Sequence, residues 1–296
     1  MRDKLLSLYG LKWNPFCPDV PDESLRLTPQ IEHFCWRVEQ QSREGGFVAI
    51  IGEPGSGKSC ALRMLAERLE KIRDVTVGVL TRPQSNTADF YRELGHLFGV
   101  MLSPHNRWAG AKVLRETWLA HIDASMSRPI LLIDEAQEMR HSALAELRLL
   151  SSMHLDSRAL LTVVLCGDGR LVEKLRAPEL LPVASRIRTR LRTDYAPVEE
   201  LRACLDHALE QAGNAALMTG ELKQTLAEHA AGNYRLLMTM ADDLLHSAVQ
   251  RDLDHLDEKL YFDVFGIKPD AAAAARSAGA GPKGGARPPR RDGARS

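Results

Sequence analysis

No net charge, no cysteine framework and no membrane-length apolar run occur in this 296-residue chain. Lys+Arg 39 balance Asp+Glu 39, so any surface for nucleic acid must be a local patch. The five cysteines, Cys17, Cys35, Cys60, Cys166 and Cys204, are odd in number, widely spaced and without a CxxC. That argues against a disulfide framework or structural zinc and fits a reducing compartment. Cys60 and Cys166 lie beside apolar runs, where a free cysteine behaves as a small buried hydrophobe. The ten histidines form no HExxH or CxxH grouping, which argues against a protein-held transition metal. No Ser-His-Asp or Cys-His arrangement is supported by spacing. The opening MRDKLLSLYGLKWNPF lacks the apolar centre of a signal peptide. The longest near-apolar run, Ala159 to Gly167, is far short of the roughly 20 residues that cross a bilayer. A cytoplasmic protein with no membrane partner is expected.

What is present reads as a soluble globular chain: 44% hydrophobic and 26% charged residues are ordinary for that class. The length points to about two domains. From Gly266 on, the sequence has one large apolar residue, Ile267, and seven basic residues against Asp270 and Asp292. Such a segment cannot bury enough surface to offset its chain entropy, so residues 266–296 are expected to be a disordered basic tail. It is either solvated without a role or in weak contact with DNA.

Between residues 47 and 195, short continuous apolar runs (47–51, 75–81, 130–134 and 160–166) alternate with helical patterns (57–71, 86–98, 111–125 and 142–152). Continuous runs suit parallel strands buried on both faces, and the alternation predicts a doubly wound α/β sheet. After Pro197 the pattern is helical, over 197–212, 220–231, 234–251 and 255–264. Pro197 suits a first helical turn, and Thr219 and Asn233 suit N-caps. The expected division is 1–195 for the nucleotide-binding α/β domain, 196–265 for a small all-α lid, and the tail.

Gly52-Glu53-Pro54-Gly55-Ser56-Gly57-Lys58-Ser59 matches GxxxxGK[ST] between a strand and a helix, the setting of a phosphate-binding loop. Its glycines let backbone N–H groups turn around phosphate oxygens, and the helix dipole helps hold the anion. Lys58 would reach the β- and γ-phosphates of ATP, and the Ser59 hydroxyl would ligate Mg²⁺; Cys60 completes the candidate nucleotide-binding stretch. The run Ile130-Leu131-Leu132-Ile133-Asp134-Glu135 ends a strand in two carboxylates. Asp134 would hold Mg²⁺, and Glu135 would act as general base toward the in-line water. The alternative is a helix N-cap pair before Ala136–Met139. The tandem Asp-Glu favours hydrolysis over phosphate transfer to a small acceptor.

Leu8-Tyr9-Gly10-Leu11-Lys12-Trp13-Asn14-Pro15-Phe16, Leu27-Thr28-Pro29, the phosphate loop, Leu132-Ile133-Asp134-Glu135-Ala136-Gln137 and Gly232-Asn233-Tyr234-Arg235 together resemble the ExeA-like group of AAA+ ATPases. That group includes TnsC-type regulators of DNA transposition, and the resemblance spans most of residues 5–265. It implies the P-loop AAA+ form of the α/β fold, a three-layer parallel sheet with a helical lid. Residues 1–46 would be an N-terminal extension packing near the adenine, through Pro15 and Phe16; a plain core aromatic is the alternative for Phe16. Asp168 falls at the sensor-1 position, where the family usually has a neutral polar residue, and is either sensor or helix N-cap. In Arg186-Ile187-Arg188-Thr189-Arg190-Leu191-Arg192 the period of two places four arginines on one face of a strand. The resemblance implies an arginine finger, Arg186 or Arg188, presented to the next subunit's nucleotide. A solvated edge strand and DNA phosphate binding by the outer arginines are the alternatives. Arg235 would be sensor 2, touching the γ-phosphate, with a surface salt bridge as the bland reading.

The resemblance implies an ATP-dependent homo-oligomer on double-stranded DNA that recruits or regulates a DDE-type transposase. The alternatives are an ExeA-like ATPase assisting type II secretion assembly, and a nucleotide-switched binding module that scarcely hydrolyses.

Overall fold

The computed structural model of the chain describes residues 2–100, 107–125, 127–153 and 158–266. Beyond Gly266, the expected tail lies outside the described residues. The chain opens with α1 (Arg2–Tyr9), an extended segment containing a 3-10 turn (Asp22–Ser24), and α2 (Pro29–Ser42). Strands and helices then alternate: β1 (Gly46–Gly52), α3 (Lys58–Glu70), β2 (Val75–Leu80), α4 (Thr87–Leu97), α5 (Arg107–Ser125) and β3 (Arg128–Ile133). A second 3-10 turn (Ala136–Glu138), α6 (His141–Ser151) and the two-residue pair β4 (Ser152–Met153) and β5 (Arg158–Ala159) follow. Next come β6 (Thr162–Gly167), α7 (Gly169–Leu175), α8 (Leu181–Ala184) and β7 (Ile187–Thr193). The helices α9 (Val198–Ala212), α10 (Gly220–His229), α11 (Tyr234–Gln250) and α12 (Glu258–Phe265) close the described chain.

Five strands form one parallel sheet in the order β2-β3-β6-β1-β7. Alternate residues of each apolar run serve opposite faces, because successive side chains of a strand point to opposite sides. Phe47, Ala49, Leu131, Ile133, Val163 and Leu165 pack with the residues of α4–α8. Val48, Ile50, Ile130, Leu132, Val164 and Cys166 pack with those of α2 and α3. This is the three-layer α/β arrangement expected, and burial on both faces is why those runs are apolar without interruption.

The arginine strand differs from expectation. Ile187–Thr193 is the fifth strand, at the sheet edge beside β1, and its register with β1 slips between Phe47 and Val48, whose partners are Ile187 and Thr189. Arg188 is the extra residue of this bulge, and Arg186 lies before the strand. The four arginines therefore do not share one strand face: Arg190 and Arg192 follow the bulge in register opposite Ala49 and Ile51. A bulge shifts every later residue by one position relative to the partner strand, which a period of two cannot foresee. On the inner side, Thr189 Oγ1 donates to Gln41 Oε1 (2.7 Å), while Gln41 Nε2 donates to the Phe47 carbonyl (3.1 Å).

The last four helices bury Leu201, Leu205, Leu209, Leu222, Leu226, Leu237, Leu244 and Leu245 in a separate apolar cluster. Leu5, Tyr9, Leu11 and Phe16 belong to the same cluster, so the segment from Leu5 to Phe16 packs with these helices. The contact is also polar: Lys12 N–H donates to the Ala212 carbonyl (2.9 Å), Asn214 Nδ2 to the Tyr9 carbonyl (2.9 Å), and Tyr9 Oη to the Leu253 carbonyl (2.9 Å). The following segment is fastened to α3. Arg63 donates to the carbonyls of Pro18 (3.0 Å) and Val20 (2.8 Å) and to Asp22 Oδ1. Thr219 and Asn233 cap α10 and α11, accepting from the Leu222 and Leu236 N–H groups as anticipated.

Cys35 and Cys166 are buried, but Cys60 is exposed. The apolar face of α3 runs through Ala61, Leu62, Met64, Leu65 and Leu69 and leaves Cys60 on the outer side. No helix of the described residues is long and apolar enough to cross a membrane.

Candidate nucleotide site

The phosphate-loop stretch leaves the carboxyl end of β1 and enters α3 at Lys58. Gly55 takes φ +82°, and a Cβ there would lie 2.1 Å from Asn233 Oδ1. Only glycine combines this left-handed backbone with so close an approach. Ser56 and Thr193 hydroxyls share a hydrogen bond (2.7 Å), tying the loop to the end of β7. Lys58 is 7% exposed and its Nζ donates to the Glu53 carbonyl (2.9 Å). The residue after it, Ser59, is exposed.

Asp134 and Glu135 follow β3 at the same edge of the sheet. Asp134 Oδ1 accepts the Glu135 N–H (2.9 Å). Glu135 adopts φ +51°, ψ +41°, uncommon for a residue with a side chain, and makes no side-chain cap to the 3-10 turn that follows. Its carboxylate instead accepts a short hydrogen bond from Gln137 Nε2. Cys166, near the end of β6, is buried beside the Asp134 carboxylate. Burial pushes its thiol up, the Asp134 carboxylate pushes it further by charge and hydrogen bond, and the charges of Lys58 and Glu135 also reach it.

Asp168 is the N-cap of α7. Its carboxylate accepts the Arg170 N–H (2.9 Å) and Arg170 Nε (2.9 Å), and Arg170 also pairs with Glu138 (3.1 Å). Burial raises the Asp168 carboxyl, but the hydrogen bonds from Arg170 and the charges of Arg170 and Lys58 outweigh it and hold the group below its ordinary value. A carboxylate so neutralised can sit near an anion without the repulsion expected of a bare one.

The N-terminus of α11 rests on the loop. Tyr234 N–H donates to the Gly55 carbonyl (2.9 Å) and Asn233 Nδ2 to the Pro54 carbonyl (3.3 Å). Tyr234 Oη is anchored on Glu200 (2.9 Å); burial and that carboxylate push its phenol up. Arg235 is exposed in the first turn of α11, near enough to Cys60 for its charge to act on the thiol. Pro15 and Phe16 are buried, with Phe16 in the apolar cluster of α9–α12. Asn14 fixes their turn, accepting the Phe16 N–H (3.0 Å) and donating to Asp242 (2.7 Å).

Arg186 and Arg188 lie at the start of β7, beside Phe47, the opposite end of β1 from the phosphate loop. Arg186 donates to the Pro182 carbonyl, and the exposed Arg188 pairs with Glu44 (3.6 Å). Neither joins the site within one chain. Sequence reasoning assigns no role to Gln137, Thr193 or Arg170. Gln137 and Asn233 stand inside the Asp-Glu-Ala-Gln and Gly-Asn-Tyr-Arg motifs, whereas no motif marks Thr193 or Arg170. Among the described residues no cluster of three or more His, Cys, Asp or Glu side chains could hold a metal ion.

Residues 41–175 match the family model described as an AAA domain. The chain is 30% identical over 211 residues to the general secretion pathway protein A of Aeromonas hydrophila, an alignment covering 70% of this chain and 38% of that protein. The chain thus spans about two fifths of that relative's length. Among solved structures it is similar to the Aeropyrum pernix ORC2 protein in its ADPNP-ADP complexes (TM-score 0.67, 14% identity, covering 90% of this chain and 74% of that one). It is also similar to the Aeropyrum pernix ORC1 protein in complex with DNA (TM-score 0.64, 17% identity, 85% and 68%).

Proposed function

We propose that this chain, whose fold is that of the P-loop AAA+ ATPases, binds and hydrolyses ATP. In its ATP-bound state it would assemble as a homo-oligomer on double-stranded DNA and recruit or regulate a DDE-type transposase, in the manner of TnsC-type regulators. The observation that carries the reading is the gathering of Lys58, Ser59, Asp134 and Glu135 at one carboxyl edge of a parallel sheet, the edge where open α/β sheets bind their ligands. The loop Gly52–Ser59 would wrap the triphosphate, with Lys58 against the β- and γ-phosphates. Ser59 and Asp134 are hard oxygen donors of the kind Mg²⁺ takes. Bound there, the ion would neutralise charge on the β- and γ-phosphate oxygens. Glu135 would accept the proton of the attacking water. Asp168, held by Arg170, would be the residue that senses the γ-phosphate, and Arg235, in the first turn of α11, would follow it. Arg186 or Arg188 would serve the nucleotide of a neighbouring subunit, since both stand far from the loop of their own chain.

DNA as a partner is supported by the exposed Arg190 and Arg192, which follow the bulge two residues apart on one side of β7, and by the DNA complex of the structural relative ORC1. A second reading, an ExeA-like ATPase assisting secretion assembly, is favoured by the 30% identity to the secretion protein. Two measurements test the proposal. Phosphate release should fall at least about 100-fold in Glu135→Gln, the ordinary worth of a general base; equal rates would return the chain to a mere nucleotide switch. With ATP and duplex DNA, electron micrographs should show DNA-bound assemblies that disperse with rising salt as counterion release dictates. Indifference to DNA at low salt favours the secretion reading.

A further inference from the structure

Gln137 is the middle residue of the 3-10 turn after Glu135 and is 4% exposed. Its Nε2 donates to Glu135 Oε2, and its Oε1 accepts the Asp168 N–H at 3.3 Å. A carboxylate only accepts and a backbone N–H only donates, so these partners fix the orientation of the amide between them. Gly167 makes the room: a Cβ there would lie 2.5 Å from Gln137 Oε1. The turn is pinned from α7, where Lys174 Nζ donates to the carbonyls of Gln137 and Met139, the latter at 2.7 Å. A second tether runs alongside, since Arg170 joins Asp168 to Glu138. A buried amide satisfied at both ends is rigid, and Glu135 itself sits in a strained backbone conformation that its surroundings must hold.

We propose that Gln137 is a positioning residue: it sets the Glu135 carboxylate from Asp168, the N-cap of α7. This rests on Glu135 acting as the base. α7 leads through α8 to the turn that carries Arg186, whose side chain bonds the α8 carbonyl of Pro182. The base is thereby linked to the segment proposed to meet a neighbouring subunit.

Gln137→Met keeps the length and removes both hydrogen bonds. Its kcat for ATP should fall about 10- to 100-fold, the cost of a mispositioned group, while KM and the equilibrium affinity for ATP stay within about threefold, as for an interaction made only in the transition state. Added to Glu135→Gln it should cost nothing more, because the two act as one unit. A wild-type kcat, a loss confined to KM, or multiplying losses in the double variant would overturn the proposal. Should Gln137→Met not fold, Gln137→Asn, polar but too short to span both partners, is expected to show the same kcat-selective loss. A readout without turnover separates this proposal from the reading beneath it. In glutamate-¹³C-labelled, nucleotide-free protein, the Glu135 carboxyl resonance (identified by its disappearance in Glu135→Gln) should move in Gln137→Met; an unmoved resonance overturns the proposal. If the wild-type protein binds ATP but releases no phosphate, the hydrolytic reading fails while the resonance still decides the role of Gln137.

Discussion

The Tyr234 N–H donates to the Gly55 carbonyl at 2.9 Å, so the first residue of α11 is hydrogen-bonded to the middle of the phosphate loop. The neighbouring side chain, Asn233, does two jobs at this contact: Oδ1 caps α11 through the Leu236 N–H (3.0 Å) and Nδ2 holds the Pro54 carbonyl. Anything that reshapes the loop is therefore felt by the helical cluster, without a separate relay.

Substitutions at Asn233 should separate the two jobs. Asn233→Ala loses the cap and should cost about 1 kcal/mol, read as a fall in melting midpoint of roughly 2–4 °C. Asn233→Asp keeps the cap but loses the bond to Pro54 and puts negative charge beside the loop. Its melting should stay near wild type while ATP affinity, measured by calorimetry, weakens at least about tenfold. An affinity equal to wild type would show that the contact between Asn233 and Pro54 is irrelevant to the nucleotide.

Thr189→Val is nearly isosteric but strips the donor from Gln41 Oε1, leaving a buried acceptor unsatisfied. The expected loss is about 1–3 kcal/mol, measured by urea unfolding, with ATP binding unchanged because the site lies at the other end of β1.

The sequence made much of this fold legible because the sheet is parallel and buried. Strands β1, β3 and β6 are continuous apolar runs, and the caps Thr219 and Asn233 mark α10 and α11 by side-chain chemistry alone. The site was legible to the same degree, since Lys58, Ser59, Asp134 and Glu135 sit in two local motifs, each at a strand end. What was hidden depends on contacts between distant segments. The bulge at Arg188 arises from register against Phe47 and Val48, and nothing in RIRTRLR states that register. Leu5, Tyr9 and Phe16 are apolar in sequence, but only the fold assigns them to the helices after Pro197 and not to the nearer sheet. Cys60 adjoins apolar residues in sequence yet faces outward on α3, because a helix turns by 100° at each step. Gln137 is visible as a letter of a motif, but its two partners, Glu135 and the Asp168 N–H, come together only when β6 lies beside β3.

Arg63 fastens the segment between α1 and α2 to the helix that follows the phosphate loop. Arg63→Ala abandons the carbonyls of Pro18 and Val20 together with Asp22. Residues 17–24 should then be cut faster by protease at low concentration. Arg63→Lys should not restore protection, because one ammonium cannot reproduce the guanidinium's divergent donors. Unchanged cleavage in both variants would remove the segment's dependence on this residue.

The Asp168 carboxyl makes a prediction in pH. Its native value lies below its ordinary one, so the folded state favours the ionised form. The stability this contributes is fully present above the unfolded value, near 3.9, and disappears as pH falls through the lower native value. Asp168→Asn retains an N-cap oxygen for the Arg170 N–H but carries no charge to titrate. The wild-type protein should therefore exceed the variant in urea midpoint at pH 7 and converge on it as pH drops below about 4. Because Arg170 is largely exposed, added salt should shrink the pH 7 difference. A difference that is constant across this range would mean that Asp168 acts through its shape as a cap, and that its charge is not what α7 uses.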